Sequence, residues 1–109
     1  MDTFTQAYIE AALWSSTDDE GEPLDFGEYD LAPATMAAMM ADCAKFQAEN
    51  DLSERGESQA GHDFWLTRNG HGCGFWDGDW PETGDKLTEA CRAWPEVNLY
   101  VGDDGRIYC

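Results

Sequence analysis

The chain of 109 residues carries 23 acidic residues against 6 basic ones, a formal net charge of −17 at pH 7. Because an ionised carboxylate is costly to bury without a partner, any fold of this chain must keep nearly all of these side chains at its surface. The compact state also suffers from self-repulsion, so the interior must be apolar enough to outweigh it. With 42% hydrophobic residues and five tryptophans, we expect residues 1–109 to fold as a single domain rather than stay disordered.

The four cysteines, Cys43, Cys73, Cys91 and Cys109, lack the Cys-x-x-Cys spacing that is typical of zinc ribbons and thiol oxidoreductases. Met1 is followed by Asp2 rather than by a basic and apolar leader, and no run approaches the ~18 apolar residues of a membrane helix. We therefore predict a cytosolic protein with free thiols and no membrane contact.

The first half of the chain predicts two helices that are separated by an acidic loop. Thr3 and Gln6 have capping-box spacing ahead of a helix over residues 3–15, which Ile9, Leu13 and Trp14 make apolar on most sides and which should be well buried. Residues 16–30 have no period and no base, which predicts an acidic loop. Pro33 suits the first turn of a second helix over 33–50, and its expected apolar stripe is Met36, Met39, Met40, Cys43 and Phe46.

The second half predicts two hairpins on either side of a helix. Asn69-Gly70 favours a type I′ turn, hence a hairpin over 62–77 that pairs Phe64 with Phe75. Thr83 or Asp85 can cap a helix over 84–95, which ends before Pro95. A turn at Asp103-Asp104-Gly105 predicts a hairpin over 98–109, with register pairs Leu99–Cys109, Val101–Ile107 and Tyr100–Tyr108.

Each predicted hairpin has one aliphatic face. We therefore predict an α+β fold with a four-stranded antiparallel sheet, helices packed on one face, and the element order ααββαββ.

Three segments of the chain, DCAKFQAEN, AGHDFWLTRNGHGCGFWDGDW and YVGDDGRIY, resemble small proteins that bacteriophages and mobile elements encode. The similarity covers roughly the last three quarters of the chain, and HDFWLTRNGHG is its most specific part. The resemblance implies a phage or mobile-element origin and a bacterial host cytosol. It brings no known activity and no catalytic residues. Phage proteins of this charge include anti-CRISPR and anti-restriction inhibitors that imitate DNA.

The acidic residues themselves are the first candidates for a binding site. A rigid array of carboxylates can occupy a groove that evolved to hold DNA phosphates. The expected partner-binding residues are Asp18, Asp19, Glu20, Glu22, Asp25, Glu28, Asp30, Asp77, Asp79, Glu82 and Asp85. The alternative interpretation is that the charge serves only solubility or adaptation to a high-salt host.

Metal and catalytic chemistry find less support in the residues. His71 and Cys73 with His62, Cys91 or Cys109 have the right atoms for zinc, but the expected strand register points them to opposite faces. Neither acidic segment matches the calcium-loop pattern. His62 opposite Asp77 is the one pairing that suggests proton transfer. We predict no metal, no cofactor and no enzymatic activity.

An aromatic surface is the second candidate site. If the helices cover one sheet face only, Trp65, Tyr100 and Tyr108 line the other face as a protein-binding or dimerisation patch. The competing possibility is that the first helix buries them.

From the sequence we expect a phage-type inhibitor that binds a basic, DNA-binding surface of a host defence complex and that does not bind nucleic acid itself. The alternative is a structural or accessory phage protein that uses the aromatic face. Both a monomer and a homodimer are compatible with these patterns.

Overall fold

The structure of the protein, a computed structural model, describes residues 1–18, 20–24, 29–70, 74–75 and 79–109. In these residues four helices and three short strands follow one another in the order αβαααββ. They are α1 (Thr3–Ser15), β1 (Asp30–Leu31), α2 (Pro33–Glu49), α3 (Glu57–Arg68), α4 (Gly84–Cys91), β2 (Tyr100–Val101) and β3 (Arg106–Tyr108). The predicted α+β class is confirmed, and the predicted element order is wrong.

The first helix lies where the sequence predicts it but is capped differently. Asp2, not Thr3, is the N-cap residue, and its Oδ1 accepts a hydrogen bond from the Thr5 backbone N–H at 2.8 Å. A carboxylate is the better group here because it also interacts favourably with the positive end of the helix dipole. Gln6 is not part of a capping box, since its side chain reaches toward Glu10.

The second helix confirms the expected Pro33 at its start and ends one residue earlier than predicted, at Glu49. Met39, Cys43 and Phe46 are buried as the stripe requires. Met40 departs from the prediction because it is 44% exposed, one position away from the buried stripe.

The largest difference concerns residues 62–77, which the Asn-Gly turn signal assigned to a hairpin. Residues Glu57–Arg68 form a helix instead, and Asn69 and Gly70 end it. The Gly70 φ of +73° and its N–H bond to the Thr67 carbonyl are typical of a helix C-terminus, which uses the same left-handed conformation as a type I′ turn. Residues 71–73 and 76–78 of the predicted second strand lie outside the described residues.

The helix accommodates a burial pattern that a strand covered on one face only could not. Phe64, Trp65 and Leu66 are consecutive and all buried, whereas strand neighbours point to opposite faces of the sheet. The α3 helix packs on α1, and at their crossing Gly61 lies against the Phe4 carbonyl.

The fourth helix is shorter than the predicted 84–95, since it ends at Cys91. Thr83 is its N-cap residue but makes no side-chain cap bond there, because its hydroxyl is used by Glu54. Leu87 and Cys91 are buried.

The sheet has three strands in the described residues, in the order β1-β3-β2. The predicted pairing of Val101 with Ile107 and of Tyr100 with Tyr108 is confirmed, with Gly105 at a φ of +77°. The four-stranded, wholly antiparallel sheet is wrong, because β1 is parallel to β3. The sequence does not predict β1, because it lies at the end of the predicted acidic loop and two residues are too few to show a period.

An aromatic cluster forms the centre of the core. The Phe46 and Phe64 rings stack with their centroids 4.0 Å apart, and Tyr8 meets Trp65 edge-on at 5.4 Å. One cation lies among these rings, because the Arg68 guanidinium is above the rings of Phe64 and Trp94.

Arg68 is buried and satisfies its donors within the protein. It donates two hydrogen bonds to the Pro95 carbonyl, one to the Tyr8 hydroxyl and one to Asp42, at 2.7–3.1 Å. These bonds tie α3 to α1, to α2 and to the segment after α4. Arg68 is therefore used inside the fold, and Asp42 is the one carboxylate with which it forms an ion pair in the described residues.

Candidate partner-binding surface

The first part of the predicted acidic loop is an ordered turn that is built on Asp18. The Asp18 Oδ1 accepts the backbone N–H groups of Glu20 and Glu22 at 2.9 and 3.0 Å, and Oδ2 accepts the Tyr29 hydroxyl. These bonds, the one from Glu22 first, hold the pKa of Asp18 below its usual range. The turn closes with a bridge between Thr17 and Pro23.

Leu24 anchors this turn, because its side chain is buried and its N–H bonds to the Ser16 carbonyl at 3.0 Å. The side chains of Glu20 and Glu22 are exposed on a backbone that these contacts hold in place. Asp30 is exposed in β1. The predicted site residues Asp19, Asp25 and Glu28 lie outside the described residues.

The second acidic segment is joined to a part of the chain that the sequence did not single out. The Glu54 carboxylate accepts the backbone N–H groups of Glu82 and Thr83, both at 3.0 Å, and the Thr83 hydroxyl at 2.7 Å. The Thr83 hydroxyl is the main reason that the pKa of Glu54 is lowered. Arg55 adds a bond from Nε to the Asp79 carbonyl.

This contact gathers carboxylates from two separate stretches of sequence. The exposed predicted residues Asp79 and Glu82 thereby lie near residues 51–56 between α2 and α3, which include Asp51 and Glu54. Asp85 is exposed in the first turn of α4. Asp51 bonds Ser53, chiefly through the Ser53 hydroxyl, which lowers the pKa of Asp51. The contact of residues 54 and 55 with residues 79–83 was not predicted from the sequence. Asp77 lies outside the described residues.

Most carboxylates in the described ranges face solvent without a basic partner. Asp63 is the only buried acid there. Asp42 pairs with Arg68 and Glu89 with Arg92, and these are the acid–arginine ion pairs among the residues that the structure describes. The surface field is therefore strongly negative, since so few of its charges are neutralised locally.

The predicted aromatic patch is not assembled as expected. Trp65 is 2% exposed, and its Nε1 donates to the Ser15 hydroxyl at 2.7 Å. Trp65 lies in α3 rather than on a sheet, and its contacts with Tyr8 and Ser15 of α1 bury it. Tyr100 is 56% exposed and stacks on Tyr108 with ring centroids 5.8 Å apart, while the Tyr108 hydroxyl donates to Asp104.

A buried carboxylate and a histidine form a pair that the hairpin register had assigned differently. His62 Nδ1 lies 3.0 Å from Asp63 Oδ1, so its partner is the next residue along the helix. Asp63 also accepts Trp80 Nε1 at 2.7 Å and Gln59 Nε2 at 2.9 Å. These contacts explain how a fully buried Asp63 is tolerated.

One exposed tryptophan was not predicted from the sequence. Trp14, expected on a buried helix, is 60% exposed, and its ring centroid lies 6.3 Å from that of His62. Between α1 and α3 the two residues line an open groove of about 320 Å³. A tryptophan at the last turn of a helix gives no sequence signal for which side of the helix meets the core.

The thiols lie apart in the described structure. Cys43 and Cys91 are buried, and burial raises the pKa of each to about 12. Cys109 is exposed. In the described ranges no three His, Cys, Asp or Glu side chains are placed to hold a metal ion. His71 and Cys73, the centre of the zinc hypothesis, lie outside them.

No helix among the described residues is long and apolar enough to cross a bilayer. Comparison with protein-family models, with curated proteins and with solved structures finds no match to this chain.

Proposed function

We propose that this protein is a phage-type inhibitor of a host defence system, and that it binds a basic, DNA-binding protein surface through its acidic face. The single observation that carries the proposal is the amount of unneutralised negative charge on a small folded body. The choice of a defence complex as the target rests on the phage origin that we expect from the sequence.

The net charge of the protein is about two thirds of the charge of a DNA duplex of the same length. The Cα atoms span 43 × 24 × 22 Å, and the chain carries 23 acids with a net charge of −17. A B-DNA duplex has one charge per ~1.7 Å of axis, which amounts to about 25 charges over the same length. A surface built to bind DNA phosphates would therefore meet a similar field.

The fixed backbone of the acidic segments also supports the proposal. Glu20 and Glu22 extend from the turn that Asp18 and Leu24 hold, and Glu82 extends from a backbone that Glu54 holds. Carboxylates on a fixed backbone lose less conformational entropy on binding than carboxylates on a loose chain. The mechanism is competition with DNA, without a covalent step.

The most direct test is phage plating on bacteria that carry an active CRISPR or restriction system against that phage. We expect expression of the protein to restore plating, and purified protein to displace duplex DNA from the purified effector. Because the contacts are ionic, displacement should weaken steeply with salt, since charges are screened within about 8 Å at physiological ionic strength. Failure to protect phage against every system tested would count against the proposal.

Charge-reversal variants test whether binding depends on a defined acidic face or only on the total charge of the protein. Glu20→Lys with Glu22→Lys tests the first turn, and Asp79→Lys with Glu82→Lys tests the second acidic segment. Each pair changes the net charge by the same amount as the control pair Glu49→Lys with Asp103→Lys, which lies on other exposed parts of the chain. We expect at least one test pair to lose displacement that the control retains; equal effects of all three pairs would show that only total charge matters.

The alternative of an accessory protein that self-associates retains one supporting observation. Tyr100 is exposed on β2, which is an edge strand in the sheet order β1-β3-β2. Edge strands and exposed aromatic side chains favour pairing with another chain. A concentration-dependent dimer in sedimentation that Tyr100→Ala abolishes would support this function instead.

A further inference from the structure

The groove between α1 and α3 combines an exposed aromatic ring with hydrogen-bond acceptors, and none of the described residues that line it is a lysine or an arginine. Its floor is made by Ala7 and Ala11, and its rim by Glu10, Trp14, Gln59 and His62. The floor is smooth because both residues are alanine. The two helices lie close together because Gly61 of α3 contacts the Phe4 backbone of α1.

Trp14 is the unusual member of this groove. At 60% exposure it leaves a large apolar ring in water, whereas Trp65 and Trp80 are each 2% exposed. Tryptophan buries more area than other side chains when it is covered, and it is enriched among the residues that dominate binding energies. One face of the ring is next to His62, and much of the remaining ring surface is open to a partner.

The groove contains a carboxylate and a further acceptor that can bind a cation. Glu10 lies one helical turn before Trp14, so both side chains lie on the same side of α1. In the described structure Glu10 has no basic partner, and its contact is a 3.4 Å bond from the Gln6 amide. Gln59 donates its amide nitrogen to Asp63, which leaves the amide oxygen as an acceptor.

We infer that this groove binds an arginine side chain of the basic partner, with the guanidinium stacked on Trp14 and paired with Glu10. The inference rests on the proposed function, because that function supplies a partner rich in arginine and lysine. Arginine fits better than lysine, since its planar guanidinium stacks on indole while its N–H groups pair with a carboxylate.

Fluorine NMR on protein labelled with 5-fluorotryptophan tests this inference. Nona-arginine and nona-lysine peptides are titrated against the labelled protein, and Trp14→Phe identifies the Trp14 resonance. We expect a saturable shift of that resonance with nona-arginine and a much smaller one with nona-lysine. A Trp14 resonance that does not move with nona-arginine would overturn the inference.

Affinities of matched variants complete the test. Trp14→Ala and Glu10→Gln should each weaken nona-arginine binding about threefold to tenfold. The control Glu49→Gln removes the same charge from another exposed helical position and should change the affinity less than twofold. Equal affinities of all three variants would overturn the inference. Circular dichroism checks that each variant is folded, as expected for exposed positions.

The two proposals can fail separately. If both peptides bind with steep salt dependence while Trp14 is unaffected, the arginine site is wrong and the acidic-surface function stands. If the Trp14 resonance responds to nona-arginine while the protein never protects phage, the arginine site stands and the proposed function is wrong.

Discussion

Gly61 of α3 lies against the backbone of α1, and an alanine at this position tests the contact between the two helices. A Cβ built on Gly61 would lie 2.1 Å from the Phe4 carbonyl oxygen and 3.2 Å from the Ala7 Cβ. A normal carbon–oxygen contact is about 3.3 Å or longer, so the helices must separate by roughly 1 Å. The obstructing atom belongs to the backbone and cannot move away by rotating a side chain.

Two effects of Gly61→Ala oppose each other. Alanine improves the helix propensity of α3 by about 1 kcal/mol. Overpacking costs about 1–3 kcal/mol, and we expect the upper end because a 1 Å separation also weakens the contacts of Phe4 and Tyr8 with Phe64. The net result is a loss of about 2 kcal/mol, and packing therefore wins.

Urea unfolding followed by tryptophan fluorescence measures this loss. With an m-value of about 2 kcal/mol/M, the midpoint should fall by about 1 M. The control Ser58→Ala lies on the same helix at an exposed position and should raise stability by a few tenths of a kcal/mol. A neutral or stabilising Gly61→Ala would refute the α1–α3 contact, and it is the result that the hairpin interpretation of residues 62–77 would predict.

Three further predictions concern the buried cation, the thiols and acid stability. Arg68→Met leaves the Pro95 carbonyl and Asp42 without their donor, and it should lower the free energy of unfolding in urea by about 2–4 kcal/mol. The control Arg92→Met, at an exposed position, should lower it by under about 0.5 kcal/mol, and equal losses would contradict the role of Arg68 in the core. Because burial raises the pKa of Cys43 and Cys91 to about 12, their thiols should resist iodoacetamide at pH 8 until urea is added. The test uses a variant in which the other two cysteines are serine, and mass spectrometry detects the label. Rapid labelling of the folded protein would disprove the burial of these thiols. Because the pKa of Glu54 is lower in the folded protein than its ordinary value of 4.5, the ionised carboxylate stabilises the fold at a pH above 4.5. This contribution is lost as the pH falls through the pKa of the folded state. The urea midpoint should therefore fall more between pH 6 and pH 3.5 in the wild type than in Glu54→Gln.

Local signals in the sequence were sufficient wherever neighbouring residues decide the structure. The apolar period and Pro33 located α2, since a helix start and a helical stripe need no distant partner. The register of Val101 with Ile107 followed from a turn whose length and glycine fix the pairing. Net charge likewise showed that a strongly negative surface was unavoidable.

Asn69-Gly70 shows where local signals fail. The pair supplies the left-handed conformation that both a hairpin turn and a helix C-terminus use, so the dipeptide alone cannot distinguish them. The choice depends on α1, whose Phe4 and Tyr8 offer α3 a surface on which consecutive apolar residues can all be buried. That surface exists only in the tertiary structure.

The candidate site divides in the same way. The number of acidic residues was enough to predict that many carboxylates face solvent, because their burial is too costly. The contact of Glu54 with residues 82 and 83, and the exposure of Trp14 but not of Trp65, became visible only in the folded chain. Both tryptophans lie in apolar stretches of sequence. Which of them meets water depends on how α1 and α3 cross, and helix crossing is set by packing between residues distant in the chain.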